Sequence, residues 1–255
     1  MSEPGADQVQ ELLASFAPVA IVVGHYGVGK TNLALNLALD AASRGRRTVL
    51  CDLDVVNPYF RSSDYTKLLE EAGVHVVAPV FAGTTLDTPS ISGEVATAIE
   101  WAQQPADDAA VEGAGAGRRL LVIDAGGDDV GATVLGRFAA FIGQAPYTML
   151  YTVNERRNLT QRPEEAVEVL REIEATSRLA ATAIANNTNL KQETDPEVVS
   201  AGVAFAKETA RLSGLPLAFT AVPRTLMGAG AGRFPADAGE QGYYPVEVYV
   251  RTPWE

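Results

Sequence analysis

The octapeptide Gly24-His25-Tyr26-Gly27-Val28-Gly29-Lys30-Thr31 constrains this chain more than any other feature, and it follows directly on the apolar run Val19-Ala20-Ile21-Val22-Val23. It satisfies G-x-x-x-x-G-K-[ST] at every fixed position. Glycines at this spacing let several backbone N–H groups turn toward one point. A helix starting near Lys30 adds its own partial positive charge there. The setting is a buried strand, a glycine-rich turn and a helix, which is what a phosphate-binding loop needs and what an accidental Gly-rich turn lacks. Gly24, Gly27, Val28 and Gly29 supply the backbone, Lys30 is placed for the β- and γ-phosphates, and the Thr31 hydroxyl for Mg²⁺.

The rest of the chain repeats the strand-then-helix alternation. Strands are expected at Thr48–Cys51, Val74–Val77, Leu120–Ile123, Thr148–Val153, Ala181–Ala185 and Pro216–Val222, with an edge strand at Val246–Val250. Helices are expected at Asp7–Phe16, Thr31–Ala42, Asp64–Ala72, Ile91–Gln103, Pro163–Thr176 and Pro196–Ser213. Repeated β-α-β units predict an α/β fold: a mainly parallel central sheet of about seven to eight strands with helices on both faces. Residues 1–255 read as a single domain, with a surface insertion at 105–118 and a mobile Gly-rich loop at 228–242. In such sheets ligands bind beyond the C-terminal ends of the strands, so that edge is where chemistry is sought.

Composition narrows the function classes. Lys+Arg 20 against Asp+Glu 32 leaves a net charge of −12, which repels nucleic acid and anionic membranes alike. The single cysteine, Cys51, excludes a disulfide framework within the chain, and two histidines argue against a His-rich metal site. Met1–Gln10 lacks the basic start of a signal peptide, and Ala17–Val23 is too short to span a bilayer. A cytoplasmic protein without a membrane segment is expected.

Carboxylates stand at two strand ends. Leu50-Cys51-Asp52-Leu53-Asp54 closes the second strand with two acids, and Leu120-Leu121-Val122-Ile123-Asp124 closes the fourth with one. Such acids hold Mg²⁺ through water or orient an attacking water. Acids at strand ends also cap the next turn or helix, and Asp128 and Asp129 are read that way. Asp124-Ala125-Gly126-Gly127 has the D-x-x-G form in which the Gly127 N–H senses a γ-phosphate. Asn186-Asn187-Thr188-Asn189-Leu190-Lys191 carries no N-K-x-D tetrad, which favours ATP over GTP. Cys51 is expected to point into the core as an inert thiol.

Taken together, the phosphate loop, the D-x-D pair and the D-x-x-G strand end resemble the ParA/MinD branch of P-loop ATPases, the SIMIBI class with a deviant Walker A loop. That branch includes the nitrogenase iron protein and the arsenite-pump ATPase. The resemblance spans about residues 17–222. The runs Asp52–Arg61 and Asp124–Asp129 are similar to those of a bacterial group of ParA-like ATP-binding proteins. The resemblance implies catalytic roles for Lys30, Asp54 and Asp124, with Asp54 orienting water. It implies Mg²⁺ held near Thr31, Asp52 and Asp124, and Asn186 facing adenine, with Asn187 as the alternative if the register is off by one. It also implies ATP and Mg²⁺ as cofactors, a protein partner and a nucleotide-dependent homodimer. No bridging cysteines are present for a shared iron–sulfur cluster.

One departure stands out. Many members carry a second lysine early in the loop, and here that position is His25, followed by Tyr26 in place of a glycine. A mostly neutral imidazole cannot replace a permanent cation on a γ-phosphate. Slow hydrolysis is therefore expected, or a charge supplied by an arginine elsewhere, for which Arg61, Arg156 and Arg162 are candidates. The segment Asn57–Ser63, with Tyr59 and Phe60, reads either as a nucleotide-sensitive partner surface or as packing beneath the loop. Asp87–Ser90 reads as loop punctuation near the same edge. The leading expectation is a Mg-ATP-binding switch ATPase that couples nucleotide state to a protein partner. The alternatives are a small-molecule phosphotransferase of dethiobiotin-synthetase type and a nucleotide-binding module without turnover.

Overall fold

In the computed structural model, β1 (Val19–Val23) is buried along its whole length. Val19, Ile21 and Val23 join an apolar cluster on one face, while Ala20 and Val22 join a second cluster on the other. A strand covered on both sides must read as a continuous apolar run rather than an alternating one. The structure describes residues 6–54, 65–77, 89–105, 118–127, 129–227 and 234–250.

Around β1 assemble β2 (Arg47–Leu53), β3 (His75–Val77), β4 (Arg119–Ala125), β5 (Tyr147–Val153), β6 (Ala183–Asn186), β7 (Leu217–Pro223) and β8 (Tyr243–Val246). They form an eight-stranded sheet of order β3-β2-β4-β1-β5-β6-β7-β8, parallel at every pairing. The expected parallel α/β sheet is what forms. The chain leaves β1 for β2 and β3 on one side, returns through β4, and then builds outward from β5 on the other side. The phosphate loop therefore opens where the strand order reverses, the place at which such sheets leave a crevice.

Helices cover both faces. α1 (Ala6–Ser15), α2 (Lys30–Ser43) and Leu69 of α3 (Thr66–Glu71) close one side, with Leu12, Leu13, Leu33 and Leu37 in its core. On the other side lie α4 (Pro89–Gln103), α5 (Asp129–Gly136), α6 (Ala139–Ile142), α7 (Pro163–Ser177) and α8 (Pro196–Ser213). Ile99, Leu135, Ile142, Leu170 and Phe205 are among their core residues. A short α9 (Arg224–Met227) follows β7. Among the described residues no helix is long and apolar enough to cross a membrane.

The C-terminal region departs from the expected edge strand at Val246–Val250. The ladder partner of β7 is Tyr243–Val246, and residues 247–250 leave the sheet. Their backbone is taken up by two side chains of α2. Asn36 donates to the Glu247 carbonyl (2.9 Å) and accepts from its N–H (2.7 Å), and Asn32 donates to that carbonyl (2.9 Å) and accepts from Tyr249 N–H (2.8 Å). Asn32 and Asn36 lie one helical turn apart, so they face the same way and hold one segment. Of the Gly-rich loop, 228–233 lie outside the described residues, whereas the Glu240 and Gln241 N–H groups bond to β7 carbonyls at 2.8 and 2.7 Å. Within the insertion, 106–117 lie outside the described residues, as do Asn57–Ser63 with Arg61, Asp87, Thr88 and Asp128. α5 begins at Asp129.

Candidate functional site

The loop between β1 and α2 has the backbone its glycines require. Gly27 and Gly29 have φ of 75° and 90°, in the left-handed region that other residues rarely enter. Gly29 is the N-cap of α2 and makes no side-chain cap bond. Gly29 thus puts no side chain over the start of α2, and a helix N-terminus of this kind favours an anion. Gly24 runs against the Thr152 carbonyl of β5, while buried Val28 fixes the underside of the turn. Lys30 is almost fully buried, and its Nζ donates to the His25 carbonyl at 3.2 Å, which holds the ammonium within the loop.

Beside this loop stand the tips of β2 and β4. The parallel register sets Asp52 directly opposite Asp124, and Asp124 in turn opposite Val22 of β1. Both acids are buried, as is Asp54, whose N–H donates to Asp52 Oδ1 at 3.0 Å. Asp54 reaches the cleft itself, together with Lys30 and Thr31. Gly127 closes the D-x-x-G run hard against the phosphate loop. A Cβ there would stand 2.8 Å from Tyr26 N and collide with Lys30 Nζ. Gly126 meets Gly131 of α5 in the same close manner. Among the described residues no three His, Cys, Asp or Glu side chains converge on one metal position. A Mg²⁺ ion fits this donor set only as a shared ligand: the Thr31 hydroxyl, waters ordered by Asp52 and Asp124, and phosphate oxygens.

The cleft in front of the loop encloses about 270 Å³. Its phosphate end is Gly27, Gly29, Lys30, Thr31 and Asp54. Its other end is apolar, lined by Ala221 and Pro223 at the end of β7 and by Val246, Val248 and Val250 of the C-terminal segment. Asn187, Asn189 and Lys191 complete the rim, and Arg157 leans over Gly27 from the β5–α7 loop.

The two candidate asparagines separate cleanly. Asn186 ends β6 and is fully buried; its Nδ2 donates to Thr220 Oγ1 (3.3 Å) and its Oδ1 accepts from Thr188 N–H (3.1 Å). Asn187 lines the cleft, and its Nδ2 donates to the Val28 carbonyl at 2.8 Å, clamping the phosphate loop. Of the two asparagines, the alternative Asn187 lines the cleft and Asn186 does not. The last ladder residue has its side chain locked between strands, and the next one is released. Of the three candidate arginines, Arg156 is paired with Glu155 (3.8 Å), and Arg162 bonds Glu165 at 2.8 Å in the first turn of α7. Arg157, next to Arg156 and overlooked in the sequence, is the one that reaches the loop.

Electrostatics follow burial. The His25 imidazole is held below its ordinary pKa, first by burial and second by the Lys30 ammonium, so it is neutral at pH 7. Burial pushes the Cys51 thiol well up, and the neighbouring carboxylates of Asp52 and Asp124 push it further. It stays protonated and inert.

A phosphate loop at the reversal point of a parallel sheet, with acids on two adjacent strand tips, defines the P-loop nucleotide-binding fold. No family model matches the chain, and no curated protein matches it in sequence. Solved structures do match. The signal recognition particle receptor FtsY from Elizabethkingia anophelis, in complex with GDP, aligns over 85% of this chain and 64% of its own, with TM-score 0.51 and 18% identity. Signal Recognition Particle 54 kDa protein from Aeropyrum pernix K1, also with GDP, aligns over 84% of this chain and 45% of its own, with TM-score 0.52 and 16% identity. FtsY from Thermotoga maritima aligns over 85% of this chain and 68% of its own, with TM-score 0.51 and 16% identity. The chain spans less than two thirds of the length of the first two. At these identities the likeness is one of fold: this chain shares the parallel α/β P-loop architecture of these proteins.

Proposed function

We propose that this protein is a Mg²⁺-dependent ATP-binding switch ATPase of the ParA/MinD kind, slow on its own, whose nucleotide state is read by a protein partner. One observation carries the reading: Lys30, Thr31 and Asp54 meet in a single cleft, against which Gly127 of the D-x-x-G strand end is packed without room for a methyl group. A nucleotide's phosphates would lie on the N–H groups of Gly27 to Thr31, with Lys30 neutralising the β- and γ-oxygens. Thr31 would hold Mg²⁺, with Asp52 and Asp124 behind it. Bound Mg²⁺ supplies charge neutralisation on the phosphate oxygens. Asp54 orients the attacking water, and the α2 N-terminus stabilises the charge that develops.

Two features support adenine as the base. The apolar end of the cleft suits a purine face, and Asp54, at the phosphate end, is the only carboxylate among the described lining residues. A guanine reader needs an acid at the base end to accept from its ring N–H and amino group. The switch follows from the packing of Gly127 on Tyr26 and Lys30: a γ-phosphate arriving at that junction bears on both strand tips at once. Tyr26, 57% exposed at the loop apex, and the neutral His25 leave no second loop cation, which fits slow turnover without help.

Isothermal titration of Mg-ATP and Mg-GTP into the wild type and Lys30→Ala tests the reading. Wild type is expected to bind ATP more tightly than GTP, and Lys30→Ala to lose at least about tenfold in affinity, as befits a charge-assisted phosphate contact. Equal ATP affinity in both proteins would sink the assignment.

A further inference from the structure

β5 ends in a segment whose polar groups are unusually poorly satisfied. Thr152 Oγ1, Asn154 Nδ2, Glu155 Oε2, Arg157 Nε and Thr160 Oγ1 are all buried and have no hydrogen-bond partner among the described residues, and of these Glu155 is ion-paired with Arg156. Buried polar atoms in native proteins are nearly always bonded, so five within nine residues of chain call for an explanation, and Arg157 is the one of them that lines the cleft. Arg157 is the informative member. Its backbone is fixed, with its N–H on the Asn154 carbonyl at 3.2 Å and its own carbonyl accepting from Thr160 N–H at 3.4 Å. Its side chain makes no ion pair among the described residues, whereas Arg156 and Arg162 on either side are both paired. Its Cδ and Nε lie 3.9 Å from where a Cβ on Gly27 would stand, and it shares the cleft with Lys30 and Thr31.

A guanidinium half-withdrawn from water with no counter-charge is costly, and a chain of net charge −12 has acids to spare for neutralising it. None is used. The geometry points to an anion arriving from outside, and we infer that Arg157 is a phosphate-contacting residue that supplies, from the same chain, the cation on the terminal phosphate. The planar, permanently charged fork of arginine suits bidentate contact with phosphate oxygens. His25, held neutral, cannot do this. The contact is made only when a triphosphate fills the loop, so Arg157 both raises triphosphate affinity and draws the β5–α7 loop onto the cleft.

The inference rests on the nucleotide-binding reading above, and the experiment separates the two. Wild type, Lys30→Ala, Arg157→Ala and Arg157→Lys are titrated with Mg-ADP and with a non-hydrolysable Mg-ATP analogue. Turnover and the melting temperature of the nucleotide-free protein are measured alongside. Arg157→Ala is expected to lose about ten- to a hundredfold in analogue affinity and in turnover, with ADP affinity within about threefold of wild type. Arg157→Lys recovers part of the triphosphate preference. Removing an uncompensated cation leaves the nucleotide-free melting temperature unchanged or higher. An equal loss for both nucleotides, no loss for either, or a melting temperature lowered by several degrees would each overturn the role of Arg157. If Lys30→Ala abolishes binding while Arg157→Ala is silent, only this inference falls. If Lys30→Ala binds as wild type does, the nucleotide site itself is wrong.

Discussion

Asp54 and Asp124 differ in where their charge can act. Asp54 lines the cleft, while Asp124 is sealed beneath it opposite Asp52. Asp54→Asn is therefore expected to lower turnover by at least about tenfold with little change in ATP affinity, because water is oriented in the reaction and not in binding. Asp124→Asn should lower turnover as well and should also weaken the Mg²⁺ dependence of binding. Single-turnover rates and a Mg²⁺ titration of each variant check this, and a wild-type rate in either would remove its role. At this scale the sequence was readable where a residue type is tied to a motif. Lys30, Thr31 and Asp54 line one cleft, and Gly127 packs against Tyr26 and Lys30 beside it. Asn187 and Arg157 were harder. Two adjacent asparagines and two adjacent arginines are equivalent until a strand end decides which side chain is locked in the ladder and which is released. Only the contact with Gly27, remote in sequence, singles out Arg157.

Among elements, the junction of the β4 tip with the phosphate loop and the fastening of residues 247–250 to α2 matter most. Gly127 meets Tyr26 and Lys30 without room for a side chain, so Gly127→Ala must push the loop and the β4 tip apart. It is expected to weaken nucleotide binding severalfold and to reduce any difference in hydrogen exchange between ADP and ATP-analogue states at the phosphate loop. Unchanged exchange behaviour would mean that the two elements are not coupled. At the other junction, Asn36 exchanges two hydrogen bonds with Glu247 and is buried. Asn36→Ala takes the partner from the Glu247 N–H, while its carbonyl keeps Asn32, at a cost of about 1–3 kcal/mol. Urea unfolding measures that loss. A parallel titration should show weaker ATP binding, because Val248 and Val250 lose their anchorage as a cleft wall. The strand-and-helix order was legible from apolar runs and helical periodicity. The strap was not, because Val246–Val250 has the composition of a strand, and nothing local reveals that asparagines on a distant helix bond its backbone.

For the whole molecule, the parallel sheet followed from the alternation of elements, and the position of the cleft from the rule that such sheets bind at a reversal of strand order. Ligand binding at this central crevice should stabilise the entire sheet. At a Mg-ATP concentration about 100 times the dissociation constant, mass action adds about 2.7 kcal/mol, which should appear as a rise of several degrees in melting temperature. Lys30→Ala should show no such rise. The strap has a further consequence, and it concerns the order in which the chain is made. Asn32 and the Val250 N–H that it accepts at 3.3 Å are 218 residues apart. A ribosome extrudes the phosphate loop early and the apolar wall of the cleft among the last residues described. A chain halted before Glu247 would carry the loop, Lys30, both strand-tip acids and Ala221, Pro223 and Val246, yet would lack Val248 and Val250, which complete the apolar wall. On the nucleotide-binding proposal, a chain cut before Glu247 should therefore hold a nucleotide more loosely than one that includes the strap.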